Sequence, residues 1–312
     1  MLNQIQAAII SIAIIIPLSS IAVWNSAQSI PILETTFHDE KIIAIASFFP
    51  LYDFTKMVGG EKVDVFLLIP FGIEPHDWEP TIQDLQRIQQ ADIVVINGLG
   101  FETWITDIVS VNSEIKFVDT STNISKIKIK QESIEKDGRD HESFSDPHIW
   151  LDPILAKNQI KNIENSLIET DPQNKEFYSN NANSYSKQLD LLDKKIRNEL
   201  STCKKDFIAF HSAFSYFADH YGLNQHTVIK SSDPNVEATS KNLHEIITLA
   251  RNQGIKVILT EEGVDSRNSE VIANEINGKV LVLSPLEIGD KDISYLEKME
   301  QNLSNLKEAL CT

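Results

Sequence analysis

Residues 172–200 read PQNKEFYSNNANSYSKQLDLLDKKIRNEL, with no glycine and no proline after the first position. Phe177, Asn181, Tyr185, Leu189, Leu192, Ile196 and Leu200 recur at spacings of three and four, giving one largely apolar face at the period of an α-helix. At 1.5 Å per residue this predicts a rod of roughly 40 Å, about the length of a domain. Short apolar β-rich runs alternate with helical stretches on both sides of it. The rod therefore reads as a stiff strut between two α/β lobes, in preference to a packed helix broken near Asn180 and Asn181.

Ahead of the strut, runs at 42–46, 63–69, 93–96 and 115–118 are short enough to be buried strands, with helical stretches expected at 51–58, 81–90 and 102–109. The first helix stops at Gly59 and Gly60, and the second opens with Thr81 three residues before Asp84, a capping pattern. After the strut the alternation restarts, with strands expected at 207–210, 227–229, 257–260 and 280–283. The expected layout is an export segment over 1–28, a lobe over 39–170, a linking helix over 171–201 and a second lobe over 202–312. The long polar stretch at 120–145 reads as a surface loop.

The 312 residues are 42% hydrophobic and 23% charged, ordinary for a soluble globular chain with a substantial core. A formal net charge of -17 argues against nucleic acid as a partner, since phosphate binding needs clustered Lys and Arg. Residues 7–24 are apolar apart from three serines. The run is marginal between a signal-peptide core and a membrane span, and Asn3, Gln4 and Gln6 are neutral where basic residues are usual. A signal cleaved near Ser26 and Ala27 and an uncleaved anchor fit equally. Either places the working part of the chain outside the cytoplasmic membrane, periplasmic or tethered to the outer face. No cysteine follows the apolar run, so lipid attachment there is not expected. Cys203 and Cys311 are the only cysteines; in an oxidising compartment they are a candidate disulfide, the alternative being two unpaired thiols.

Three of the eight histidines sit past a predicted strand or in a proline-stiffened turn, where α/β folds place ligands. They are His76 in PHDWEP (75–80), His148 in DPHIWLDP (146–153) and His211 in FHSAFSYF (210–217). Imidazole suits zinc, copper, nickel and iron, whereas magnesium and calcium take oxygen cages. Three histidines and one oxygen point to Zn2+ first, with Mn2+ and Fe2+ as alternatives. Asp77, Asp146 and Asp152 lie close enough in sequence to accept the second ring N–H of a ligating histidine, or simply to cap helices.

Together these three motifs, with the long helix between the second and third, resemble the metal-binding solute-binding proteins of zinc and manganese ABC transporters, the cluster A-I or ZnuA/TroA-like family. The likeness spans most of the chain. It implies two α/β lobes, each with a four-stranded parallel sheet flanked by helices, joined by a rigid helix in the class III architecture. It further implies a metal in the cleft, held by His76 and His148 from the first lobe and His211 from the second, and a membrane permease as partner. Family members usually add an aspartate after the last strand, but here Ser284 stands in that place, in Leu283-Ser284-Pro285-Leu286-Glu287. A hydroxyl is a poor ligand, so either Glu287 reaches inward, a water completes the tetrahedron, or Glu262 or Glu74 substitutes; Glu287 and water rank equally. The His-rich loop common in zinc members is reduced to His141, while His211, where manganese members tend to carry glutamate, favours zinc. Glu237 and Glu261 lie where the family has acidic residues, though a solvated charge or a helix cap is the plainer reading of each. His38, His220, His226 and His244 read as structural or solvent-facing.

The expected function is capture of a divalent transition metal by a monomeric, non-enzymatic binding protein that delivers it to an ABC permease. A secreted zinc hydrolase is the rival from another class, but the sequence holds no His-Glu-x-x-His pair and no Gly-x-Ser-x-Gly elbow. A surface adhesin with a structural metal is the third reading.

Overall fold

The structure, a computed structural model, describes residues 41–105, 108, 115–127, 145–231 and 233–311. The expected export segment, His38, His141, most of the 120–145 loop and the second half of the 102–109 helix lie largely or wholly outside these. Among the described residues no helix is long and apolar enough to cross a membrane.

The first lobe is built on β1 (Ile42–Ala46), β2 (Val63–Leu67), β3 (Ile93–Ile96) and β4 (Phe117–Asp119), all parallel in the order β2-β1-β3-β4. The β3 run Ile-Val-Val-Ile is buried at every position, as a strand covered on both faces requires. Helix α1 (Phe49–Gly59) follows β1, and Gly60 ends it at φ 53, a conformation that favours glycine. Helix α2 (Ile82–Ile88) opens with the expected capping box between Thr81 and Asp84.

The second lobe repeats the plan. Strands β5 (Asp206–Ala209), β6 (Asn224–Thr227), β7 (Val257–Thr260) and β8 (Lys279–Val282) are parallel in the order β6-β5-β7-β8. In both sheets the chain changes its direction of strand addition beside the first strand. A crevice therefore opens at the carboxyl ends of β1 and β3, and another at those of β5 and β7, the positions where α/β sheets hold ligands.

Helices α3 (Pro153–Thr170) and α4 (Lys175–Leu200) separate the sheets in sequence, joined by one tight turn at Pro172–Asn174. Helix α4 runs unbroken past Asn180 and Asn181. Its buried face is Tyr178, Ala182, Tyr185, Leu189, Leu192, Ile196 and Leu200, so the amino-terminal half is turned by one residue from the face expected through Phe177 and Asn181. Asn181 instead donates to the Val58 carbonyl at the end of α1 (3.0 Å), work a polar side chain does better than an apolar one. Helix α3 is an element that the periodicity above does not predict, although its signals are present in the sequence. Asp152 caps it through Ile154 N (2.7 Å), Pro153 occupies its first turn, and Ala156, Ile160, Ile163 and Leu167 form its buried stripe. Strand β6 also differs, lying at Asn224–Thr227 rather than 227–229. It is an edge strand whose polar sequence stays half-solvated, while Val228 and Ile229 are buried just beyond it.

Among the described residues the second lobe also carries α5 (Ser215–Tyr221), α6 (Ser240–Gln253), α7 (Arg267–Glu275) and α8 (Tyr295–Leu310). The largest apolar cluster crosses from one lobe to the other, joining Phe48, Phe54 and Trp150 to Tyr185 and Leu189 of α4 and to Tyr295, Met299 and Leu303 of α8. A second cluster lies between the second sheet and α6 and α7. Cys203, just past α4, is disulfide-bonded to Cys311 at the end of α8 (Cα–Cα 4.5 Å).

Candidate metal centre

His211 lies two residues past β5 and Glu261 directly past β7, so the crevice of the second sheet brings them together. Glu261 accepts from the His211 backbone N–H (3.1 Å) and from Nδ1–H (2.6 Å), holding the ring by two points. In the first lobe the buried Glu102 accepts from Ser47 Oγ (2.7 Å), Asn97 N (2.7 Å) and Gly98 N (3.1 Å), tying together the ends of β1 and β3. Asn97 then donates to the Pro147 carbonyl (2.8 Å), while Gln159 of α3 donates to Asn97 Oδ1 (3.0 Å). This scaffold fixes the turn in which Asp146 Oδ1 accepts from His148 N (2.9 Å) and Nδ1–H (2.7 Å). A carboxylate can only accept, so both rings carry their proton on Nδ1 when neutral and present Nε2 as a lone pair.

His76 enters on the loop after β2, with its N–H donating to Glu74 Oε1 (3.1 Å) and its ring edge-on to Phe101. Glu287 arrives from beyond β8. Its Oε1 lies 2.9 Å from His148 Nε2, 3.2 Å from His76 Nε2 and 3.8 Å from His211 Nε2, and the two buried Nε2 atoms are 3.3 Å apart. All four donor atoms lie within 4.8 Å of one another. A tetrahedral ion with bonds of about 2.0–2.1 Å sets its donors about 3.3 Å apart, a value that falls within these separations. Glu287 Oε2 is buried and meets no donor among the described residues, as suits a carboxylate facing a cation.

Electrostatics without an ion match this geometry. Burial acts to lower the His148 pKa, but Asp146 and Glu287 outweigh it and push it up to about 10. His211 is raised likewise, with burial opposed chiefly by Glu261. Burial acts to raise Glu287, and the imidazoles of His76 and His148 hold it well below the usual carboxylate range. Burial, then the nearby Glu287 charge, pushes Glu74 up to about 8. The cluster therefore holds protons where a metal would sit, and a metal must displace them.

The other candidates have partners elsewhere. Asp152 accepts from His220 Nδ1–H (2.8 Å) besides capping α3, and Asp77 accepts from Asn235 across the cleft mouth (2.7 Å). Glu262 receives two bonds from Lys298 Nζ (2.9 and 2.8 Å) and one from Ser284 Oγ (3.0 Å), so neither Glu262 nor Ser284 joins the four donors. Glu74 braces the His76 backbone. Glu237 is exposed on the rim of a separate cavity of about 440 Å³ floored by Phe210 and Ile229. Glu102 and Asn97 carry no motif and are recognisable only once β1 and β3 are adjacent.

A family model described as ZnuA, the periplasmic component A of the zinc-uptake complex, matches residues 45–309. The high-affinity zinc uptake system protein ZnuA of Bacillus subtilis (strain 168) is 38% identical over 282 residues, covering 87% of this chain and 88% of that protein. The zinc-binding protein AdcA of Streptococcus pyogenes serotype M1 is 32% identical over 304 residues, 91% of this chain but only 58% of that longer protein. Among solved structures, the Zn(II)-bound ZnuA-like domain of Streptococcus pneumoniae AdcA superposes with a TM-score of 0.74 at 30% identity, covering 87% of this chain and all of that domain.

Proposed function

This chain belongs to the ZnuA family of periplasmic zinc-uptake components, and on that premise we propose that it captures one zinc ion through His76, His148, His211 and Glu287 and passes it to an ABC permease. The observation that carries the reading is the convergence of three imidazole nitrogens and one carboxylate oxygen within 4.8 Å of one another. Three nitrogen donors disfavour magnesium and calcium, and zinc takes this donor set without any geometric penalty. Four protein donors fill a tetrahedron, leaving no open position for the activated water a zinc hydrolase needs. Nothing is cleaved or formed: the ion is cargo.

Loading takes neutral imidazoles, so His148 and His211 give up their protons while Asp146 and Glu261 keep the rings aimed. Ligands from both lobes close on one ion, which ties capture to the relation between the lobes. The same relation, altered at the permease, offers the route of release, within the limits set by the continuous α4.

The test is metal content by mass spectrometry of protein purified without added metal, beside His76→Ala, His148→Ala, His211→Ala and Glu287→Ala. About one equivalent of zinc in the parent and a loss in each variant is expected for a closed four-donor site. Manganese or iron in the parent would overturn zinc as cargo, and full metal in the variants would overturn the site. Zinc uptake by cells lacking the protein tests delivery; uptake unchanged at limiting zinc would refute it.

A further inference from the structure

Resting on the reading of Glu287 as the fourth ligand, we infer that Ser284, Glu262, Lys298 and Asn302 form a positioning clamp whose task is to aim Glu287 at the three histidines. Glu287 follows Leu286, a fully buried residue held at φ 61. That left-handed conformation is strained for a bulky side chain and persists only where surrounding contacts enforce it. The enforcing contacts are all present. Ser284 Oγ accepts the Leu286 N–H (3.1 Å), closing a side-chain turn around Pro285, and donates to Glu262 Oε2 (3.0 Å). Glu262 is held in turn by both bonds from Lys298, itself buried on α8. Asn302, one turn further along α8, takes the Ser284 N–H on Oδ1 (2.8 Å) and donates Nδ2 to the Ser284 carbonyl (2.6 Å), occupying both main-chain groups of that residue.

The turn is also pinned from the opposite lobe. The Trp150 indole N–H donates to the Pro285 carbonyl (2.7 Å), and Trp150 lies two residues past His148. Main-chain polar groups of Ser284, Pro285 and Leu286 are thus bonded in a fixed pattern, and the first side chain beyond it enters the metal centre. Ser284 is therefore a positioning residue, and its hydroxyl acts on the ion through the direction it gives the chain. Sub-ångström placement of a ligand decides its contribution, and outer partners of this kind typically carry 10–100-fold in metal affinity.

The experiment is a double-substitution cycle read by Zn2+ titration against a competing chelator, on the full protein and its S284A, E287Q and S284A/E287Q variants. S284A is expected to bind zinc about 10–100-fold more weakly. In the E287Q background the same change is expected to shift affinity by no more than about twofold, because the clamp then has no ligand to aim. Wild-type affinity in S284A, or an equal loss in both backgrounds, overturns the clamp while leaving the ligand assignment intact. Wild-type affinity in E287Q overturns the ligand assignment itself, and the clamp with it. Should S284A not fold, E262Q replaces it in the same cycle, keeping the Ser284 side-chain turn and giving up the ion pair with Lys298, with the same non-additivity expected.

Discussion

Replacing Asp146 by asparagine would separate two jobs that one carboxylate performs for the metal centre. Asp146 is fully buried, and its Oδ1 takes both the backbone N–H and the Nδ1–H of His148. An asparagine carbonyl accepts the same two bonds and keeps the ring aimed, but carries no charge. In the wild type His148 is pushed up to about 10, so between pH 7 and 9 zinc must expel its proton. This ring alone makes the logarithm of apparent affinity climb with a slope of about one per pH unit, and His211, raised by Glu261, adds to it. In D146N the slope should fall, by at most about one, because Glu287 still favours the protonated ring. Near pH 10, where about half of the wild-type His148 has lost its proton and competition costs only about twofold, D146N should bind zinc about 10–100-fold more weakly, or about 1.4–2.7 kcal/mol, because a neutral amide leaves the imidazole a less basic ligand. The assay is isothermal titration of zinc at several pH values in buffers of differing ionisation enthalpy, which counts protons released per ion. An unchanged proton count in D146N, or none released by the wild type at pH 7, would refute the argument.

Two further outcomes follow from the same structure. Without metal, the raised groups His148, His211 and Glu74 contribute stability that is complete below their unfolded values of 6.5 and 4.5 and is lost as pH rises, through about 10 for His148 and about 8 for Glu74. The lowered Glu287 contributes stability present above 4.5 and lost as pH falls further, so the metal-free melting temperature should decline from pH 5 to 9. The zinc-loaded protein should pull progressively ahead of it over that range, and a constant gap would contradict the proton-displacement account. The second outcome concerns Cys203 and Cys311, which close a loop with a sequence separation of 108. The double serine variant should lose about 2–4 kcal/mol in denaturant unfolding while keeping its zinc stoichiometry, since the bond lies at the opposite end of α8 from the Glu287 turn.

Sequence and tertiary structure each decided different things here. Periodicity and β-branched runs were enough for β1, β3, β7 and the long α4, because a strand or helix buried over its length writes its period into its own residues. The polar edge strand β6 and the shifted face of α4 escaped that reading. In each, the neighbouring element decided which residues it covered, as the Val58 carbonyl did for Asn181. The three histidines were legible because each sits in a turn whose proline and aspartate neighbours are contiguous in the chain.

The carboxylates could not be sorted in that way. Glu74, Asp77, Asp152, Glu237, Glu262 and Glu287 are alike as residue types, and what distinguishes them is which cation, amide or imidazole the fold brings within about 3 Å. Lys298 claims Glu262, His220 and the α3 amides claim Asp152, and the left-handed turn at Leu286 delivers Glu287 to the imidazoles. The sequence by itself determined the two-lobe plan and singled out three of the four side chains that the fold brings together. The identity of the fourth was decided by tertiary structure alone, because a charged group's partner lies across the fold, where no local pattern records it.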